Sequence, residues 1–187
     1  IAMTDDDVLL QVIAAFDSCG LDYMITGSLA ANVFGVPRTT NDADLVVSIK
    51  PAGLDAFLNA LPQEYYRSRE AAEDAVKRHS LFNLIHSEVG FKIDVIILKD
   101  RPFSLMEFSR RQSVMLEDRK CWFASPEDVI LSKLEWAKLG ESERQVNDAL
   151  NIARVQKKVL DLKYINHWAS ELGIVDLWET VKTQANL

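Results

Sequence analysis

The apolar pattern of the chain begins with a helical period. Val8, Leu9, Val12, Ile13 and Phe16 fall on one face, behind Thr4 and the acids Asp5 to Asp7 and ahead of Gly20. The polar start supplies a cap and negative charge at the positive end of the helix dipole. Asp22 to Thr26 then reads as a short strand, Gly27-Ser28 as a tight turn, and Leu29 to Phe34 as a helix ending near Gly35 and Pro37. Asp42 to Ile49 predicts a strand, Pro51 with Leu54 to Leu61 a short amphipathic helix, and Arg69 to Arg78 a polar, exposed one. Leu81 to His86 and Phe91 to Leu98, divided by Ser87-Glu88-Val89-Gly90, predict a hairpin. A helix over Phe103 to Arg111 and strands over Ser113 to Leu116 and Lys120 to Phe123 complete this part.

From Ser125 onward the pattern is helical only. Ser125-Pro126-Glu127-Asp128 is a helix start, with Ser as cap, Pro at the first position and acids in the first turn. Helices are expected near Pro126 to Leu139, Glu141 to Arg154, Asp161 to Leu172 and Val175 to Lys182, with Gly140 and Gly173 as breaks. The change marks a boundary near residue 124. The expected architecture is α/β (α+β): a mixed β-sheet with flanking helices over residues 3–124, then an all-helical C-terminal domain over 125–187. Ile1-Ala2, ahead of Met3, reads as a remnant outside the fold.

Three acids carry the candidate chemistry. Asp42 and Asp44 lie two apart on an expected strand and so leave the same face, while Asp94 opens the apolar run Val95 to Leu98. If the two strands are neighbours, like charges converge and call for a cation, and hard carboxylate oxygens select Mg²⁺ or Mn²⁺. Gly27-Ser28, separated from Asp42 by thirteen residues, is a strand-to-helix turn suited to an anion: Gly27 lets backbone approach phosphate closely, and Ser28 can cap the helix while contacting phosphate. Arg38, on the loop before Asp42, fits either bidentate phosphate pairing or plain solvation. The bland alternative is a hydrated strand face beside a capped helix.

Composition narrows the class. With 187 residues, 48% hydrophobic and 26% charged, the chain suits one ordinary domain or a core with a small appendage. Its apolar runs fall short of a bilayer span, so no membrane partner and a cytoplasmic location are expected. Cys19 and Cys121 lack metal or disulfide spacing, His79, His86 and His167 are scattered, and Trp122, Trp136, Trp168 and Trp178 read as packing residues. The net charge of −7 disfavours a broad DNA-binding face, and clusters such as Arg67, Arg69, Lys77 and Arg78 read as solvated helix faces.

Gly27, Ser28, Asp42, Asp44 and Asp94, in this order and with apolar flanks Ile25, Leu45, Ile93 and Val95, resemble the DNA polymerase β-type nucleotidyltransferase superfamily. The helical part is similar to the tail of small bacterial members, including abortive-infection and toxin–antitoxin nucleotidyltransferases, in which a lysine on one helix precedes a basic-then-acidic pair on the next. Here those positions are Lys133, Arg144 and Asp148. The resemblance implies a nucleotidyltransferase-like fold with the helical domain closing a cleft over a nucleoside triphosphate such as ATP. It implies a Mg²⁺ (or Mn²⁺) two-metal site on Asp42, Asp44 and Asp94, with phosphate contacts from Gly27, Ser28, Lys133 and Arg144. The acceptor stays open between an RNA end, a protein hydroxyl and a small molecule. A non-catalytic toxin–antitoxin binding module and a metal-dependent phosphodiesterase remain alternatives. Lys133 also fits a snorkelling surface lysine, Arg144 and Asp148 a surface ion pair, and His86 faces Asp94 only in one hairpin register.

Overall fold

In the computed structural model the described residues are 3–140 and 142–187, so Ile1-Ala2 and the expected helix start at Glu141 lie outside them. In chain order the elements are α1 (Asp5–Ser18), β1 (Tyr23–Thr26), α2 (Gly27–Phe34), β2 (Asp42–Val47), α3 (Pro51–Ala60), β3 (Tyr65–Arg67), α4 (Arg69–Arg78), β4 (Leu81–His86) and β5 (Lys92–Ile97). There follow α5 (Pro102–Ser109), β6 (Gln112–Leu116), β7 (Arg119–Phe123), α6 (Pro126–Gly140), α7 (Glu143–Val155), α8 (Leu162–Glu171) and α9 (Val175–Ala185). They form two compact units. One holds the chain up to Ile25 and Thr40–Phe123; the other holds Thr26–Thr39 and Ala124–Leu187, so α2 and the segment after it group with the C-terminal helices.

Local chemistry accounts for the helix ends. The Thr4 hydroxyl accepts from the Asp7 amide at 3.2 Å and the Asp7 carboxylate accepts from the Thr4 amide at 2.8 Å, a closed capping box. Ser125 caps α6 by accepting from the Asp128 amide at 3.2 Å. Ser68 caps α4 in the same way through the Ala71 amide.

The first unit is built on a mixed sheet of seven strands in the order β3-β4-β5-β2-β1-β7-β6. β2 with β5 and β1 with β7 are parallel; β3 with β4, β4 with β5 and β6 with β7 are antiparallel. Alternation divides the sheet into two faces. Ala43, Leu45 and Val47 of β2, Ile93, Val95 and Ile97 of β5, and Phe82 and Leu84 of β4 are buried. On that side Phe16 of α1 stacks on Tyr23 and on Phe57 of α3, with ring centroids 5.7 and 4.7 Å away. Each such side chain contributes about 1.5–3 kcal/mol by leaving water. The opposite face carries the polar members of the same strands.

β3 was not expected from the sequence. It is a three-residue edge strand, too short to show alternation, and it is held by pairing with β4 and by the Tyr65 hydroxyl, which reaches the Val8 carbonyl of α1 at 2.7 Å. The tryptophans also divide: Trp168 and Trp178 are buried as expected, but Trp122 and Trp136 are exposed. Trp122 is instead flanked by the Arg111 guanidinium and the Lys120 ammonium at 5.5 and 5.0 Å from its ring. Surface arginines behave as solvated helix faces do, with Arg69 on Asp55 and Arg78 on Asp74.

The second unit is helical. α6 packs on α7 and α8, α7 on α9, and α2 on both α6 and α7. Asp128, wholly buried, accepts from the Ser125 hydroxyl at 2.7 Å and the Tyr164 hydroxyl at 2.5 Å, which ties α6 to α8. No helix of the described residues is long and apolar enough to cross a membrane.

Tyr65→Phe removes the hydroxyl that ties the edge strand to α1 and is expected to cost about 1 kcal/mol of stability. Urea denaturation measures it; an unchanged midpoint would contradict the tie.

Candidate active site

In the first unit, the parallel register of β2 and β5 sets Asp44 directly beside Asp94 and Asp42 beside Lys92. All four side chains leave the sheet on the face opposite the α1 and α3 packing. β4 adds Asn83, paired with Asp94 across the antiparallel ladder. The polar contacts on this face are specific. Asn83 Nδ2 donates to one Asp94 oxygen, and Lys92 Nζ donates to the other at 2.9 Å. Thr40 Oγ1 donates to Asp42 Oδ1 at 2.8 Å. The hydrogen bond to Asp94 pushes the Lys92 ammonium above its ordinary pKa; burial opposes this, and the charges of Asp94, Asp42 and Asp44 add to the rise.

The donor set fits a hard divalent cation in kind, since every candidate ligand is a carboxylate oxygen and Asp42, Asp44 and Asp94 share a face. The oxygens are not gathered around one point as the side chains stand. Among the described residues no group of three or more His, Cys, Asp or Glu is placed to hold a metal, and both Asp94 oxygens are turned to Asn83 and Lys92. Lys92 and Asn83 are the residues that sequence reasoning missed. Lys92 carried a signal, since it lies two residues before Asp94 and so shares its face; Asn83 required the hairpin register.

That register also settles His86. It pairs with Tyr65 on the other side of β4, is buried, and accepts from the Val89 amide through Nδ1 at 3.3 Å, so it does not face Asp94. Its Nε2 has no hydrogen-bond partner among the described residues, and the ring lies edge-on to Tyr65 at 5.1 Å.

The second unit holds the candidate anion group. The chain enters α2 through Gly27 at φ +63°, a left-handed conformation that glycine adopts without a Cβ clash. Ser28 does not cap the helix as expected: the N-cap position is Thr26, which makes no side-chain cap bond. The Ser28 hydroxyl instead accepts from Arg38 Nη2 at 2.9 Å and lies 3.4 Å from Lys133 Nζ. Asn32 of α2 clasps the Arg38 backbone, donating to its carbonyl at 2.7 Å and accepting from its amide at 3.1 Å. The loop start is fixed by Gly35, where a Cβ would lie 2.9 Å from the Ala31 carbonyl and 3.1 Å from Ile152 of α7.

Asp148 of α7 organises this group. Arg38 grips its carboxylate with Nε and Nη2 at 2.9 and 2.7 Å, and Lys133 Nζ adds a contact at 2.9 Å. Lys133 is 4% exposed and Asp148 7%, so the surface-lysine and surface-pair readings both give way to a buried ion cluster. Arg144 stands exposed at the start of α7 and is not a partner of Asp148. Burial pushes the Asp148 carboxyl up, but the hydrogen bonds from Arg38 and Lys133, with their charges, more than offset it and hold the carboxyl below its ordinary range.

No protein-family model and no curated protein matches the sequence. Solved structures do match. An antigenic nucleotidyltransferase-like protein from Paracoccidioides brasiliensis superposes with a TM-score of 0.60 at 17% identity, over 96% of this chain and 93% of that one. The antibiotic-resistance factor ANT(2'')-Ia, in complex with adenylyl-2''-tobramycin, gives 0.60 at 13% identity over 91% of this chain and 98% of its own. The chain has the nucleotidyltransferase fold. The lincomycin-bound lincosamide adenylyltransferase LnuA shares that fold at a TM-score of 0.51, 14% identity, and coverage of 79% and 96%. At such identities the likeness is one of nucleotidyltransferase fold, and the roles of individual residues rest on the geometry above.

Asp148→Asn should lower stability by about 3 kcal/mol at pH 7, because it leaves Lys133 buried without its counter-charge. The folded carboxyl titrates below the unfolded one, so its stabilising effect is complete above roughly pH 4 and is lost as pH falls through the folded value. Chemical denaturation of both proteins at pH 7 and pH 3 should show the gap narrowing in acid; a constant gap would contradict the ion-cluster origin.

Proposed function

We propose that the protein is a divalent-metal-dependent nucleotidyltransferase that moves a nucleoside monophosphate from a nucleoside triphosphate to a hydroxyl acceptor. The observation that carries this reading is the Asp44–Asp94 register with Asp42 on the same face, on a chain with the nucleotidyltransferase fold. Mg²⁺ or Mn²⁺, one ion on Asp42, Asp44 and Asp94 and a second on Asp42 and Asp44, would lower the pKa of the acceptor hydroxyl and neutralise the triphosphate.

The chain's own residues do the rest. Asp94 takes the proton as the acceptor oxygen bonds to the α-phosphorus, while the bond from that phosphorus to the β-phosphate oxygen breaks and pyrophosphate leaves. Arg38 and Lys133, anchored by Asp148, supply positive charge to the phosphates, with the Ser28 hydroxyl and the Gly27 backbone beside them. Arg144, exposed on α7, serves the outer phosphates. A nucleoside triphosphate substrate fits a cytoplasmic location. Small molecules come first among acceptors, since the fold is shared with proteins solved with adenylyl-2''-tobramycin and with lincomycin; a protein hydroxyl or an RNA end comes second.

A binding-module reading, including a toxin–antitoxin partner, draws on one observation: both Asp94 oxygens and both cations of the buried cluster already have protein partners. The two readings separate on turnover. With Mg²⁺, each of the four ribonucleoside triphosphates and a panel of hydroxyl-bearing acceptors, pyrophosphate release is expected, and Asp44→Asn should lower it by about 100-fold or more while leaving the fold intact. Release undiminished by EDTA or by Asp44→Asn would exclude the metal-dependent reading.

A further inference from the structure

Lys92 brings a positive charge onto the carboxylate face from within the same strand as Asp94. It lies beside Asp42 in register and donates to Asp94 at 2.9 Å. The other Asp94 oxygen accepts from Asn83, so both oxygens of this acid are engaged by protein donors. We infer that Lys92 is a resident counter-ion of the carboxylate cluster, which a divalent cation must displace from Asp94 before that side chain can serve as a ligand. The inference rests on the metal-dependent reading above and adds to it a positioning residue.

The exposures make displacement feasible in one direction. The Lys92 side chain is 40% exposed and the Asp94 side chain 15%. The ammonium can therefore swing into water on its flexible stem without unpacking the sheet, whereas Asp94 stays where its strand holds it. While Lys92 is in place it offsets the repulsion of Asp42, Asp44 and Asp94, which is what a metal would otherwise do. Metal entry is then an exchange of one positive charge for two, and the gain in charge is smaller than for three bare carboxylates. The face accepts a divalent ion weakly by itself and more strongly when a polyanionic triphosphate arrives with it and receives the released ammonium.

The test is Mn²⁺ binding to the intact protein without nucleotide, read from the free-Mn²⁺ electron paramagnetic resonance signal. Lys92→Met should bind Mn²⁺ on the order of tenfold more tightly than wild type, as removal of one partly exposed competing charge allows. Lys92→Arg should restore the wild-type affinity. Asp94→Asn, introduced into the wild type and into the Lys92→Met variant, should narrow the gap between the two, leaving only the longer-range effect of the Lys92 charge on Asp42 and Asp44. A Lys92→Met affinity equal to or weaker than wild type, with Mn²⁺ still bound by both, would overturn the counter-ion role and leave the metal site standing. Absence of Mn²⁺ binding by every variant, with and without ATP, would overturn both.

Discussion

The in-register parallel pairing of β2 with β5 is the constraint from which the chemistry of the first unit follows. Side chains alternate along both strands, so one register sets Leu45 and Val95 into the core and Asp44 and Asp94 onto the open face. A slip by one residue would drive the carboxylates toward Phe16 and Phe57 and turn the core aliphatics into water. Burying an unpaired carboxylate costs several kcal/mol, and exposing each aliphatic loses about 1.5–3 kcal/mol more. The same alternation that stabilises the sheet thus aligns the acids, and the cost of gathering their like charges is met by a nearby cation such as Lys92.

Asp94 and Asp148 each pair with cations of their own unit, and with different strength. In the helical unit, Asp148 and Lys133 are nearly inaccessible to water and Arg38 closes the cluster with a two-point grip. Removing a partner there strands a buried charge, so the arrangement resists change. On the sheet face Lys92 is far more exposed, in the regime where a single pair contributes about 0.2–1 kcal/mol. One cluster is fixed and the other is exchangeable. Under the function proposed above, that difference would suit fixed cations for the phosphates and an adaptable carboxylate set for metal.

Much of this was legible in the chain because it is written locally. The Thr4 capping box, the Ser125-Pro126 helix start, the two-residue spacing of Asp42 and Asp44 and the hairpin that delivers Asp94 all depend on residues a few positions apart. What was not legible is non-local. Asp148 looked like the i+4 partner of Arg144, yet its partners are Arg38, 110 positions away, and Lys133, 15 positions away. Asn83 against Asp94, in place of His86, depended on a hairpin register that loop length alone leaves undetermined. Ser28 read as a cap because the sequence places it at a helix start, but the helix begins at Gly27 with Thr26 in the N-cap position, and the Ser28 hydroxyl accepts from Arg38 instead. Those contacts arise from tertiary packing, which composition and periodicity do not encode.

The central proposal is that the carboxylate face takes a divalent metal together with a nucleoside triphosphate. Thermal unfolding of the wild-type protein with each ribonucleoside triphosphate, in Mg²⁺ and in EDTA, tests it most directly, since a ligand of the folded state raises the midpoint. The expected result is a rise for at least one triphosphate that needs Mg²⁺ as well. A rise of equal size in EDTA, or none under any condition, would contradict the claim.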